Sequence, residues 1–207
     1  MVKKIIVLFL IMFSVFSLTS CNLNIYKDRS LKIDLNDSAI LSICADNGKG
    51  ESTFLSRNYG HAFLAITNIS TDSFIVGDQE VESGETITVG LWSIVEHFGV
   101  WFNVESNYIK ERDKYNTRVS ANIGIQLAEI EKINEVIKNN DKWNPLYNCS
   151  KFALDIWNLV AEQHSEKINV PMFVSPSYLV DEIKRFKDHE FKQVFETSTN
   201  VRYYGEN

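Results

Sequence analysis

The chain has 207 residues, of which 44% are hydrophobic and 23% are charged, and it carries 21 basic against 27 acidic side chains. This apolar content excludes an intrinsically disordered polymer, and the presence of only 9 Gly and 3 Pro excludes a collagen-like chain. The formal net charge of −6 argues against a nucleic-acid-binding protein, because phosphate contacts need clustered Lys and Arg. The length allows one domain with a substantial core, or two small ones.

The first twenty residues have the layout of a secretory signal. Met1–Lys4 is positively charged, Ile5–Phe16 is almost wholly apolar, and the small residues Thr19 and Ser20 precede Cys21. The apolar run is shorter than the ~20 residues that span a bilayer. The pattern resembles the bacterial lipoprotein signal, in which the cysteine is lipidated and becomes the mature N-terminus. A plain signal peptide and a retained anchor helix are the alternatives.

This interpretation divides the chain into three segments. They are a signal peptide over residues 1–20, a polar tether over 21–38 and a single domain over 39–207. Loss of Lys3 and Lys4 from the 21 basic residues leaves 19 against 27 acidic ones, a net charge of −8, so no polybasic patch holds the mature chain to a membrane. We therefore expect a protein attached to a bacterial membrane through lipid on Cys21, within the cell envelope and facing the periplasm or the exterior.

The first half of the domain predicts an antiparallel sheet built from hairpins. Short apolar or alternating runs are separated by turns rich in Gly, Asn and Asp. The predicted strands are Ala39–Ala45, His61–Thr67, Ser73–Val76, Thr86–Val89 and Val100–Val104.

The second half changes to helical periodicity. Ile130, Ile133 and Ile137 predict an amphipathic helix from about Ile123 to Asn139. A second helix is predicted from Cys149 to about Gln163, with Trp157 on its buried face. Further elements are a helix that begins near Pro176, with Leu179, Ile183 and Phe186 inward, and a last strand over Phe191–Phe195. The expected fold class is α+β, an antiparallel sheet packed against helices.

Two cysteines remain if Cys21 carries lipid. Cys44 and Cys149 either form a disulfide, or Cys149 is a reactive thiol and Cys44 a small buried residue of a strand. The context of Cys149 favours reactivity, because Asn148 is a good N-cap and places the cysteine in the first helical turn. Backbone N–H groups and the positive end of the helix dipole favour a thiolate there. The same N–H groups can bind the oxyanion that forms when a thiolate attacks a carbonyl.

A nucleophilic thiolate needs a base, which is usually a histidine, and the chain offers four. His61 is the strongest candidate, because it opens an apolar strand directly after Gly60, where another backbone or a substrate can approach closely. His97, in a predicted loop, is the reserve. His164 lies too far along the Cys149 helix, and His189 is typical of a solvated turn. A structural role for His61 is the alternative.

Three stretches resemble a known family. Gly60–Ile66 is similar to the histidine strand, and Tyr147–Ala153 to the nucleophile turn, of the circularly permuted papain-like cysteine hydrolases related to NlpC/P60 and lecithin:retinol acyltransferase. Pro171 with Ser175–Leu179 is similar to the proline-containing start of a following helix in some members. The resemblance implies a permuted papain-like fold over about residues 39–190, with Cys149 as nucleophile and His61 as base. It implies a cell-wall peptide amide as substrate, with a lipid acyl ester second.

The residue that orients the histidine is not identified by the sequence. Asp78, Gln79, Glu80, Thr88 and Ser93 are available, and a hairpin turn at Asn68–Asp72 would favour Gln79 or Glu80. Trp143 is the best candidate for a pocket wall. We expect no metal, no cofactor, no nucleic-acid partner and a monomer. A surface lipoprotein that binds a ligand or partner through the same cleft without catalysis is the alternative function.

Overall fold

The computed structural model describes residues 33–49, 60–94, 96–164, 166–197 and 200–205, except for the side chain of Gln163. The predicted signal peptide, the predicted lipidation site Cys21 and most of the predicted tether lie outside these residues.

Seven of the nine strands in the described part form one antiparallel sheet, in the order β8-β7-β1-β2-β5-β6-β9. The other two pair as a separate hairpin, β3-β4. The strands are β1 (Ala39–Asp46), β2 (His61–Asn68), β3 (Phe74–Val76), β4 (Gln79–Val81), β5 (Thr86–Ile94), β6 (His97–Phe102), β7 (Val119–Ile125), β8 (Glu190–Phe191) and β9 (Arg202–Tyr203). This agrees with the predicted α+β class and its antiparallel sheet.

Four α-helices are present in the described residues. They are α1 (Val104–Arg112), α2 (Leu127–Asn139), α3 (Cys149–Ala161) and α4 (Pro176–Ile183), and a short 3-10 turn, Glu162–His164, follows α3. None of these helices has the length and apolar character needed to cross a membrane.

The sheet separates two apolar clusters. The larger lies against α2, α3 and α4 and includes the fully buried Ile133, Phe152 and Trp157. The smaller includes Cys44 and Phe63 and lies on the side of α1. Because apolar neighbours cover both faces of β1 and β2, these strands have nearly continuous apolar sequences, as expected for buried strands.

Three predicted elements were placed wrongly. The helix predicted from Ile123 begins only at Leu127, because Val119, Ala121, Ile123 and Ile125 alternate as one buried face of β7 and Gln126 caps α2. The strand predicted over Val100–Val104 ends at Phe102, and Val104 starts α1, which the sequence did not predict. The strand predicted over Phe191–Phe195 is only the two-residue β8.

The β1–β2 ladder ends where Asp46 pairs with His61. Gly60, immediately before it, has a φ of +75°, and a Cβ at this position would overlap the carbonyl oxygen of Asp46. The glycine is therefore required by both the backbone conformation and the close approach of β1. The Asp46 carboxylate accepts hydrogen bonds from the N–H groups of Gly48 at 2.7 Å and Thr117 at 2.9 Å, which ties this end of the sheet together.

Candidate active site

Cys149 is the first residue of α3. The Asn148 side chain accepts hydrogen bonds from the N–H groups of Ser150 at 2.9 Å and Lys151 at 3.0 Å, and its Nδ2 donates to the carbonyl of Val174 at 3.0 Å. The cap therefore begins the helix at the cysteine and also attaches it to the segment before α4. The predicted N-cap role of Asn148 is confirmed.

The structure brings His61 and Cys149 together. Burial by itself raises the pKa of the Cys149 thiol, but the charge of His61, a hydrogen bond from its ring and one from the N–H of Ala62 lower that pKa below its usual value. Burial alone lowers the pKa of His61, but the charges and hydrogen bonds of Cys149 and then Glu105 raise it. The two shifts favour a thiolate–imidazolium pair.

Glu105 is the orienting carboxylate that sequence reasoning missed. Its Oε1 lies 2.9 Å from Nε2 of His61, and the carboxylate is fully buried. Because Nε2 faces Glu105, Nδ1 is the ring nitrogen left for the thiol. Trp92 Nε1 donates to the same Oε1 at 2.9 Å, and Thr88 Oγ1 donates to Oε2 at 3.2 Å.

Two neighbouring residues allow Glu105 to occupy this place. Asn103 adopts the left-handed conformation, with a φ of 60°, and turns the chain from β6 into α1; its Oδ1 accepts from the N–H of Thr88 at 3.1 Å. Gly90 leaves space on β5, since a Cβ there would overlap Oε1 of Glu105. The turn at Asn103 before α1 and the absence of a side chain at Gly90 on β5 together leave room for the Glu105 carboxylate.

The expectation that Gln79 or Glu80 orients His61 is wrong. The turn at Asn68–Asp72 leads into the separate β3–β4 hairpin, whereas β2 pairs with β5, Leu64 opposite Val89. Continued along both strands, this register puts Trp92, rather than position 79 or 80, beside His61. Glu105 escaped prediction because its helix is polar and weakly amphipathic, although Asn103, a residue type common before helices, stands two positions before it in the sequence.

The other histidines do not reach Cys149 in the described structure. His97 begins β6 rather than lying in a loop, and its ring packs edge-on against Trp101 at 4.5 Å. His164 lies in the 3-10 turn after α3. His189 is exposed, and its Nδ1 lies 2.8 Å from the Phe186 carbonyl oxygen.

Cys44 and Cys149 are both free thiols, so the predicted alternative of a disulfide between them is not formed. Cys44 is fully buried on β1, and burial raises the pKa of its thiol. Cys44 is therefore an inert small core residue, and Cys149 is the partly exposed, activated one.

A cleft of about 500 Å³ opens over Cys149 and His61. Trp143 lines it, as expected, and the rest of its described wall is mainly aromatic and aliphatic. Besides Cys149 and His61 it is lined by Gly60, Leu91, Trp92, Ser93, Ile94, Tyr115, Trp143, Asn148 and Pro176. Such a wall suits an uncharged group next to the reacting carbonyl.

One backbone donor at the mouth of α3 is available to an oxyanion. Asn148 occupies the N–H groups of Ser150 and Lys151, whereas the N–H of Cys149 has no acceptor among the described residues. Of the N–H groups in the first turn that were expected to bind the oxyanion, the N–H of Cys149 is therefore the candidate.

Across the described residues, no group of three or more His, Cys, Asp or Glu side chains could hold a metal ion. Comparisons of the chain with protein-family models, with curated proteins and with solved structures found no match.

Proposed function

We propose that this protein is a cysteine-dependent hydrolase or acyltransferase of the permuted papain-like type, acting on an amide or ester carbonyl. The observation that carries the proposal is the Cys149–His61–Glu105 arrangement at the start of α3. A nucleophile, a base and a buried carboxylate in this order are typical of acyl transfer through a covalent intermediate. The resemblance of the histidine strand and the cysteine helix to that family adds support.

The reaction begins when the Cys149 thiolate attacks the carbonyl carbon and forms a carbon–sulfur bond. The N–H of Cys149 donates to the resulting oxyanion. Collapse breaks the carbon–nitrogen or carbon–oxygen bond, and the His61 imidazolium gives its proton to the leaving amine or alcohol. Water or an acceptor hydroxyl or amine then attacks the thioester while His61 takes its proton, and Cys149 leaves as the thiolate.

For the substrate, a cell-wall peptide remains our first proposal and a lipid acyl ester the second. The aromatic and aliphatic wall of the cleft suits an apolar group beside the carbonyl in either class. The proposed site of action is the cell envelope, with the chain attached to a membrane through lipid on Cys21.

The test uses two alkyne-tagged acyloxymethyl ketone probes, one peptidyl and one fatty-acyl, on the full chain. We expect the wild type to be labelled at Cys149, and Cys149→Ala and His61→Ala to lose the label. Cys44→Ala is the matched control and should keep it, because Cys44 is buried away from solvent. The preferred probe identifies the substrate class.

Labelling that persists in Cys149→Ala would overturn the proposal. A wild-type chain that binds the corresponding unreactive peptide or acyl ligand but is never labelled would favour the alternative, a non-catalytic surface lipoprotein that uses the same cleft.

A further inference from the structure

The side chain of Trp92 contacts both the carboxylate and the imidazole of the site. Its Nε1 donates to Glu105 Oε1 at 2.9 Å, the same oxygen that faces His61. Its ring lies over the His61 ring, with centroids 4.3 Å apart and planes inclined by 36°. Trp92 therefore contacts the acceptor oxygen through its N–H and the imidazole through its ring face, while Tyr115 stacks on the same imidazole at 5.7 Å.

Trp92 is itself held firmly. It is 7% exposed, and Tyr108 of α1 packs against its ring edge-on at 5.6 Å. Gly90, two residues earlier on the same face of β5, leaves room for both the indole and the carboxylate. A buried donor with this support loses little freedom when it binds a carboxylate, and hydrogen bonds to charged groups are among the stronger ones.

We propose that Trp92 is the positioning residue of the site, acting on Cys149 through Glu105 and His61: its indole N–H fixes the carboxylate and its ring face fixes the imidazole. This inference rests on the proposed function, because it assigns Trp92 a role in the same acyl transfer. Trp92 also lines the cleft that opens over Cys149 and His61, so the side chain lies beside the reacting groups.

The decisive variant is Trp92→Phe, which keeps an aromatic ring and removes the N–H. The first readout is the pH dependence of iodoacetamide alkylation at Cys149, followed by mass spectrometry of its peptide. The buried Cys44 serves as an internal reference for intact folding. We expect the alkylation midpoint to move to higher pH, in the same direction as for Glu105→Gln, because a misplaced carboxylate supports the imidazolium less well.

The second readout is turnover of an acyl substrate that labels the wild type. We expect kcat to fall about tenfold to a hundredfold with little change in KM, because the lost donor acts on the base rather than on binding. Trp101→Phe is the matched control, since Trp101 Nε1 donates to the Phe98 carbonyl at 3.2 Å instead of to Glu105, and should leave both readouts unchanged. β-(3-benzothienyl)alanine at position 92, an isostere without an N–H, replaces Trp92→Phe if that variant does not fold.

The outcomes separate this inference from the proposed function. If the position-92 variant keeps the wild-type alkylation midpoint while Glu105→Gln shifts it, the role of Trp92 is overturned and the catalytic arrangement stands. If the wild-type chain has the alkylation midpoint of a free thiol and Glu105→Gln leaves that midpoint unchanged, both the role of Trp92 and the proposed function are overturned.

Discussion

Glu105 is a carboxylate without solvent exposure, and its oxygens lie within hydrogen-bond distance of the side chains of His61, Trp92 and Thr88. Burying such a group is costly unless its oxygens are satisfied, and here each oxygen has a partner. The arrangement therefore presents the carboxylate oxygens to the imidazole, the indole N–H and a hydroxyl at the same time. Removing the negative charge should affect His61 more than it affects the surrounding packing.

We expect Glu105→Gln to narrow the pH profile of kcat/KM from both sides. The Glu105 carboxylate raises the pKa of His61, so its loss lowers that pKa and the alkaline limb moves to lower pH. A less protonated His61 supports the thiolate less, so the pKa of Cys149 rises and the acidic limb moves to higher pH. Activity at neutral pH should fall about a hundredfold or more.

The control for this prediction is Glu80→Gln. Glu80 lies on the β3–β4 hairpin, which is separate from the sheet that pairs β2 with β5, and its carboxylate accepts from Ser73 Oγ at 2.7 Å. Its profile should superimpose on that of the wild type. An unchanged profile width in Glu105→Gln would show that the carboxylate does not act on His61.

At the scale of elements, the site depends on where α3 begins. We expect Asn148→Ala to lower the free energy of unfolding by about 1 kcal/mol, because two N–H groups of the first turn lose their acceptor. Fraying of that turn should also slow alkylation of Cys149. Chemical denaturation and the alkylation rate measure the two effects.

Ser175→Ala is the matched control for the cap. The Ser175 side chain accepts from the N–H of Tyr178 at 3.1 Å and caps α4 in the same way. It should lower the free energy of unfolding by a similar amount and leave the alkylation rate unchanged. If Asn148→Ala destabilises the chain without any effect on Cys149, the cap stabilises α3 but does not position the thiol.

The elements that the sequence predicted well are those with one strong local signal. The strand at His61 has a nearly continuous apolar run, and the helices at Cys149 and Pro176 combine an apolar face with a cap or a proline. Helix α1 lacks both, because only its first turn is buried and Asn103 makes no side-chain cap hydrogen bond. Its role follows from tertiary contacts with β5, and the pairing of β2 with β5 cannot be deduced from turns alone.

At the scale of the whole molecule, the histidine strand precedes the cysteine helix in the chain, and the carboxylate comes from a helix between them. β2 carries His61 at one end, and α3 packs against β2 and β5 with Cys149 at its N-terminus. The antiparallel sheet thus joins residues that are distant in sequence, while Glu105 reaches them from the α1 side. This separation explains why two of the three groups could be predicted from local pattern and the third could not.

The proposed attachment to a membrane is tested on the full chain with its own N-terminus, expressed in a bacterial host. We expect Cys21→Ser to lose incorporation of an alkyne-tagged palmitate and to move from the detergent phase to the aqueous phase in Triton X-114 partitioning, because one thiol carries the lipid. If the signal is removed as proposed, the chain carries 19 basic against 27 acidic residues, so charge alone would not hold it at an anionic membrane surface. Cys149→Ser should keep both properties, which separates an anchor on Cys21 from an acyl-enzyme on Cys149. Palmitate label and detergent partitioning that persist in Cys21→Ser would contradict the lipoprotein prediction and favour a retained anchor helix with lipid elsewhere.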